Sequence, residues 1–214
     1  MYKDIIKKLI RLFIGFIVVA FGIVFMLNSG LGLSPWDTFQ KGISDITFLT
    51  FGQATQLVGF VMIFAGYILR VKPGLATICN MYFVGLFIDI IVAKNIIPTD
   101  INQFTKYIFL FIGLILLNYG IYLYISSGLG AGPRDGFMLG LIKRFNVKTI
   151  VAKTALEVTV LIIGILMGGP FGAGTLIITA SNGFILQRVF DVMKYEPNNQ
   201  KHLSFNDLIP ATKK

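Results

Sequence analysis

Glu157 stands in the run KTALEVTV, inside the fifth long apolar segment of the chain. An ionisable group at that depth in a bilayer is costly. Either it faces the bundle interior on an ion or solute path, with Thr154 beside it, or it is neutralised by Lys153 one helical turn earlier. The first reading makes Glu157 a proton- or cation-coupling group, and the second makes it half of a structural pair. Arg134 and Asp135 follow Pro133 directly, and Trp36 and Asp37 follow Pro35 in the same way. Proline at a first helical turn loses no hydrogen bond, and an Asp two residues on complements the helix dipole, so Pro35 and Pro133 each predict a helix start. Arg134 beside such a free N-terminus favours an anionic ligand group, unless it pairs internally with Asp135 or Glu157 or is a topology charge at the membrane surface.

Each of these starts is preceded by a Gly-rich stretch, with Gly30 and Gly32 before the first and Gly128 and Gly130 before the second. Irregular backbone beside a membrane span is tolerated only where it is buried in protein or lines a wet cavity. Broken helices at matching positions of two repeats are a pointer to a transporter binding site. The plainer role of these glycines is to permit tight turns and close helix packing.

The elements that position these residues are readable from composition. Hydrophobic residues make up 55% of the 214, charged residues only 14%, and the mean hydropathy is +0.78. That balance excludes an ordinary soluble domain. The 19 Lys and Arg against 10 Asp and Glu lie between apolar runs, so they read as topology signals and not as a nucleic-acid surface. Six segments are long enough to cross a bilayer, at about 9–27, 47–69, 74–93, 107–125, 150–168 and 172–190. The first follows Lys3, Lys7, Lys8 and Arg11 and leads into no small-residue cleavage site, so it reads as an uncleaved span.

The stretch NSGLGLSPWDTFQKGIS from Asn28 recurs as SSGLGAGPRDGFMLGLI from Ser126, 98 residues on, with eight of 17 positions identical. The same offset pairs Gly22 with Gly120, Gly66 with Gly164, Thr77 with Thr175 and Gly85 with Gly183. This reads as a duplication of a whole half. The predicted architecture is an all-α polytopic membrane protein of two tandem repeats, 1–98 and 99–194, with six full transmembrane helices, two short broken or re-entrant half-helices and a polar tail over 195–214. The alternative is eight passes in parallel repeats. The basic residues fall equally well inside under both arrangements, and both put the N- and C-termini in the cytoplasm of a bacterial-type plasma membrane.

Cys79 is the lone cysteine and His202 the lone histidine, and there is no phosphate loop, HExxH helix or GxSxG turn. Neither a metal nor another cofactor is expected, nor a catalytic residue. Asp89 reads as snorkelling or pairing with Lys94, and Asn80, Asn118, Asn182 and Gln56 as interhelical hydrogen-bond formers.

The sequence resembles the YczE/YyaS/YitT family of bacterial integral membrane proteins, and its YczE branch most. The resemblance rests on GLGLSPWD from Gly30, KPGLATICN from Lys72, GLGAGPRDGFM from Gly128, KTALEVTV from Lys153 and GAGT from Gly172. Lys153 stands where similar proteins more often carry arginine, and Phe184 where proline is common. The resemblance implies the membrane class and these signature positions, and it implies no activity.

The function these features predict is a secondary transporter or permease for a small polar solute. Gly30, Gly32, Pro35, Trp36, Asp37, Gly128, Gly130, Pro133, Arg134, Asp135, Thr154 and Glu157 are its candidate solute- and ion-binding residues. Its expected partners are the lipid bilayer, the solute and a coupling ion, with no nucleic acid. A homo-oligomer or partner subunit is compatible with this. The alternative is a non-transporting subunit or regulator acting with another membrane protein. A membrane enzyme using Asp37, Asp135 and Glu157 as acid and base ranks last, because no nucleophile or metal accompanies them.

Overall fold

The computed structural model describes residues 2–196, so most of the polar tail, with His202, lies outside the described residues. Eight helices follow one another: α1 (Tyr2–Ser29), α2 (Pro35–Ile46), α3 (Phe51–Ile68), α4 (Leu75–Ala93), α5 (Gln103–Ile125), α6 (Pro133–Phe145), α7 (Thr149–Leu166) and α8 (Ala173–Val192). By length and composition α1, α3, α4, α5 and α7 can each cross a membrane. The sixth expected span forms as α8. Its 20 residues reach about 30 Å, but Asn182, Gln187, Arg188 and Asp191 leave it short of the apolarity of the other five. At 12 and 13 residues, α2 and α6 span about 18–20 Å and cannot cross alone. Large apolar side chains such as Phe60, Phe64, Tyr67, Leu166 and Phe184 are exposed on the outer helix faces, as suits hydrocarbon solvent.

Helix boundaries follow local chemistry. Ser34 caps α2, Thr50 and Gln53 form a capping box at α3, and Asn102 accepts from the Thr105 amide at the start of α5. Two residues past the end of α3 the chain turns at Arg70, whose φ is 63°, and two past the end of α7 it turns at Gly168, whose φ is 85°. The closing bonds match as well, from Val71 N to Gly66 O at 2.9 Å and from Gly169 N to Gly164 O at 2.8 Å.

α1 and α5 form the centre. A Cβ on Gly15 would meet the Gly120 carbonyl at 3.0 Å, and one on Gly22 would meet the Gly113 carbonyl at 2.8 Å. As the numbers rise on α1 they fall on α5, so the two helices are antiparallel. Asn28 Nδ2, at the end of α1, accordingly donates to the Ile97 carbonyl just before α5. Leu12, Phe16, Ala20, Ile23 and Met26 of α1 are buried with Leu110, Leu114 and Tyr124 of α5 in the main core. Parallel repeats would run α1 and α5 in the same direction, whereas here they run antiparallel.

The Gly-rich stretches leave α1 and α5 at opposite faces of the bundle and run extended into it. Their backbone is held by the N-termini of the long helices. The Gly174 amide of α8 donates to the Leu31 carbonyl at 2.7 Å, and the Ala76 amide of α4 donates to the Leu129 carbonyl at 2.9 Å. The first-turn amides of a helix have no intrahelical partner, and an extended strand in hydrocarbon has none either, so each satisfies the other. The approach requires glycine. At Gly32 φ is 112° and a Cβ would lie 2.4 Å from Thr175 Oγ1, while at Gly130 φ is 135° and a Cβ would lie 3.1 Å from the Gly74 Cα.

Gly22→Val drives its side chain into the α5 backbone, since even a Cβ would sit 2.6 Å from the Leu117 amide nitrogen. It should cost about 1–3 kcal/mol or more. Gly183→Ala meets nothing within 4 Å and should change stability by less than about 1 kcal/mol. Thermal unfolding of the two variants in detergent checks the contrast.

Candidate functional site

Ser34 caps α2 and Gly132 occupies the corresponding position before α6, so Asp37 and Asp135 each fall at the third helical residue and bend back over the helix start. Ser34 Oγ donates to Asp37 Oδ2 at 2.5 Å, and the Gly132 amide donates to Asp135 Oδ2 at 3.2 Å. Arg134 Nη2 then donates to Asp37 Oδ1 at 3.2 Å, and its guanidinium lies over the Trp36 ring at 5.2 Å. Asp37 and Arg134 are 97 residues apart, one short of the 98-residue offset, so nearly corresponding positions touch. The N-termini of α2 and α6, entering from opposite faces, therefore meet head to head.

The two acids differ in surroundings. Asp37 is only 2% exposed and has both carboxylate oxygens engaged. Asp135 is exposed, with the Tyr124 hydroxyl nearby across Gly132 and the positive charges of Arg134 and Lys153 bearing on it. Beneath Trp36, Val58 of α3 and Val160 of α7 are buried together, with Met62 and Leu156 packed against them. Through Trp36 this apolar floor joins α2 to α3 on one side and to α7 on the other.

Glu157 does not sit deep in the interior. Its side chain is 28% exposed, and Lys153 Nζ lies 3.9 Å from its carboxylate. Of the two readings open in the sequence, the local pair is the one adopted, because i,i+4 spacing on α7 brings the groups together with no help from a neighbouring helix. Thr154 is exposed on the same helix. Arg134 likewise finds neither Asp135 nor Glu157 as its ion-pair partner but Asp37, which comes from the other half. Trp36, Asp37, Arg134 and Asp135 are thus brought together, with Lys153 and Glu157 extending the charged group along α7. Gly30, Gly32, Gly128 and Gly130 shape the arms, and Pro35 and Pro133 are buried at the helix starts.

Residues outside the candidate set complete the site. Thr77 Oγ1 donates to the Ala131 carbonyl at 2.7 Å, and Thr38 Oγ1 donates to the Pro170 carbonyl at 3.2 Å. Recurrence of Thr77 and Thr175 at the offset was the available signal for the first, and Ser34 with Asp37 three residues on has the spacing of a helix cap, whereas nothing in sequence order points to Tyr124. Among the described residues Asp89 forms no ion pair with Lys94. It accepts from the Thr50 hydroxyl at 2.5 Å and the Gly52 amide at 2.8 Å, capping α3 from α4. Asn118 donates to Asn182 across α5 and α8, and Gln56 donates to the Tyr82 carbonyl, as interhelical hydrogen-bond formers should. Among the described residues no three His, Cys, Asp or Glu side chains gather as metal ligands.

Asp37 is buried, so removing Arg134, itself 35% exposed, strands its carboxylate. Arg134→Ala should therefore destabilise the fold by about 1–3 kcal/mol, and Arg134→Ala combined with Asp37→Asn should recover part of that loss. A double-mutant cycle in detergent measures the coupling, and additive losses would mean that the pair carries no interaction.

Residues 6–191 match a protein family described as a family of unknown function, DUF6198. An uncharacterized protein of Haemophilus influenzae is 32% identical over 181 residues, covering 85% of this chain and 82% of the relative. The uncharacterized membrane protein YczE of Bacillus subtilis is 32% identical over 190 residues, 87% of each chain, and the uncharacterized protein YyaS of the same organism is 31% identical over 177 residues, covering 81% of this chain and 87% of the relative. No solved structure matches the chain. A helical multi-pass fold, a match over most of its length and these relatives together place the chain in the DUF6198 family, with the membrane protein YczE among its relatives.

Proposed function

We propose that the protein is a secondary transporter or permease for a small polar solute in a bacterial plasma membrane, built from two inverted copies of one unit. The observation that carries the reading is the head-to-head meeting of α2 and α6 through the Asp37–Arg134 pair. Two half-helix N-termini aimed at one point, joined by a charged pair inside a membrane bundle, suit a solute site better than a purely structural core. The basic residues in the first turns of α1, Lys3, Lys7, Lys8 and Arg11, and those around the end of α6, Lys143, Arg144 and Lys148, favour cytoplasmic placement of both termini.

The charges suggest a division of roles. The Arg134 guanidinium is already balanced by Asp37, so an anionic group of a solute would have to compete with that carboxylate or share the guanidinium with it. Asp135 is exposed, with one oxygen held by the Gly132 amide. A proton or cation would meet Asp135 first, with Glu157 and Lys153 next along α7. Competition between cation and solute through the shared Arg134 gives a simple route to coupling.

Thermal stability of the purified protein against amino acids, organic acids, nucleobases, vitamins and metal ions tests the reading. A true ligand at about 100 times its Kd should add about 2.7 kcal/mol and lose that effect in Asp135→Asn. The same solute should then cross proteoliposome membranes. A protein stabilised by no solute that moves none by itself, but that purifies in a stable complex with another membrane protein, would instead be a partner subunit.

A further inference from the structure

The two halves share a sequence frame but not the same contacts. In the first half α3 packs along α4, and polar links tie α2, α3 and α4 together. Thr55 Oγ1 donates to Gln40 Oε1 at 3.1 Å, Gln56 Nε2 donates to the Tyr82 carbonyl at 2.9 Å, and Asp89 holds the Thr50 hydroxyl and the Gly52 amide. At the offset of 98 the corresponding residues are Lys153 and Met138, then Thr154 and Ala180, then Gln187 against Lys148 and Ile150. Among the described residues no hydrogen bond joins these pairs, and Gln187 turns instead to Asp191 on its own helix.

The second half is correspondingly parted. α7 and α8 are not a packed pair, and α7 has no side-chain cap at Lys148. A Cβ on Gly183 would meet nothing within 4 Å, whereas one on the corresponding Gly85 would lie 2.3 Å from the Gly52 carbonyl. A cleft of about 260 Å³ opens between α6 and α7, lined by Leu141, Phe145, Val151 and Thr159 among others. The corresponding acids register the difference, since Asp37 is buried and Asp135 exposed.

We infer that this is one of two states related by exchanging the conformations of the halves, and that Asp89 is the residue that gates the exchange. The inference rests on the transporter reading above. In the present state the site is sealed on the face where α1 ends and open on the face where α1 begins. In the other state α3 leaves α4, Asp37 becomes accessible from the opposite face, and α7 closes on α8. Gln187 then reaches the free first-turn amides of α7, as Asp89 now reaches those of α3. The Asp89 link suits a latch because it is strong, made to backbone and hydroxyl, and breakable without unfolding either helix.

Thr55→Cys and Lys153→Cys occupy corresponding positions on α3 and α7 and, in a Cys79→Ser background, report access by a membrane-impermeant thiol reagent added to either side of oriented vesicles. Lys153→Cys should react from the face where α1 begins, and Thr55→Cys should react slowly and only from the other. Adding Asp89→Ala should raise the Thr55→Cys rate about tenfold and lower the Lys153→Cys rate. A disulfide between Thr50→Cys and Asp89→Cys should abolish Thr55→Cys labelling and solute flux, both restored by reductant. Labelling of both reporters from one face, rates unchanged by Asp89→Ala, or flux persisting through the disulfide would overturn the exchange. The labelling needs no solute, so opposite-sided access in a protein that binds nothing would defeat the transporter reading and leave the two-state exchange standing.

Discussion

Extended backbone has no hydrogen-bond partner in hydrocarbon, and the rest of this structure is arranged around that fact. Two Gly-rich arms penetrate the bundle, and each needs donors for carbonyls that water cannot reach. The α4 and α8 N-termini have the opposite deficit, first-turn amides with no carbonyl behind them. Docking Leu31 on Gly174 and Leu129 on Ala76 resolves both deficits at once. The arm of each half lies against the last long helix of the other, so neither half completes its backbone alone.

Glycine is spent where backbones must touch. Gly15, Gly22, Gly113 and Gly120 bring α1 and α5 close enough that no Cβ fits between them, fixing the antiparallel crossing. Gly32 and Gly130 do the same for the arms. Once these approaches are set, the starts of α2 and α6 have one place to go, and Arg134 reaches Asp37. The buried carboxylate is thus neutralised by a cation from the other half, which makes the charged centre a consequence of the backbone arrangement.

The eight helices were legible because each leaves a local mark: apolar runs for the long ones, and Pro35 and Pro133 after Gly-rich turns for the two short ones. The direction of the second half was not, because basic residues partition alike under both arrangements. It is settled only by which residues of α1 face which residues of α5. Charged partners were legible only at helical spacing. Lys153 and Glu157 meet four residues apart, whereas Arg134 with Asp37 and Asp89 with the α3 N-terminus join distant segments. The reading of Glu157 as an interior-facing group followed from its place in an apolar run, but its side chain is 28% exposed beside Lys153, and Asp37 is the buried acid.

Hydrogen exchange of the Ala76 and Gly174 amides, read in bilayer nanodiscs, tests the backbone docking most directly. Both belong to the first turn of a helix, where amides ordinarily lack an intrahelical partner and exchange quickly. Docked on the Leu129 and Leu31 carbonyls, they should be protected to a degree comparable with the interior amides of α4 and α8. Rapid exchange at both positions, alongside protected helix interiors, would mean that the arms do not dock on these helices and would contradict the account.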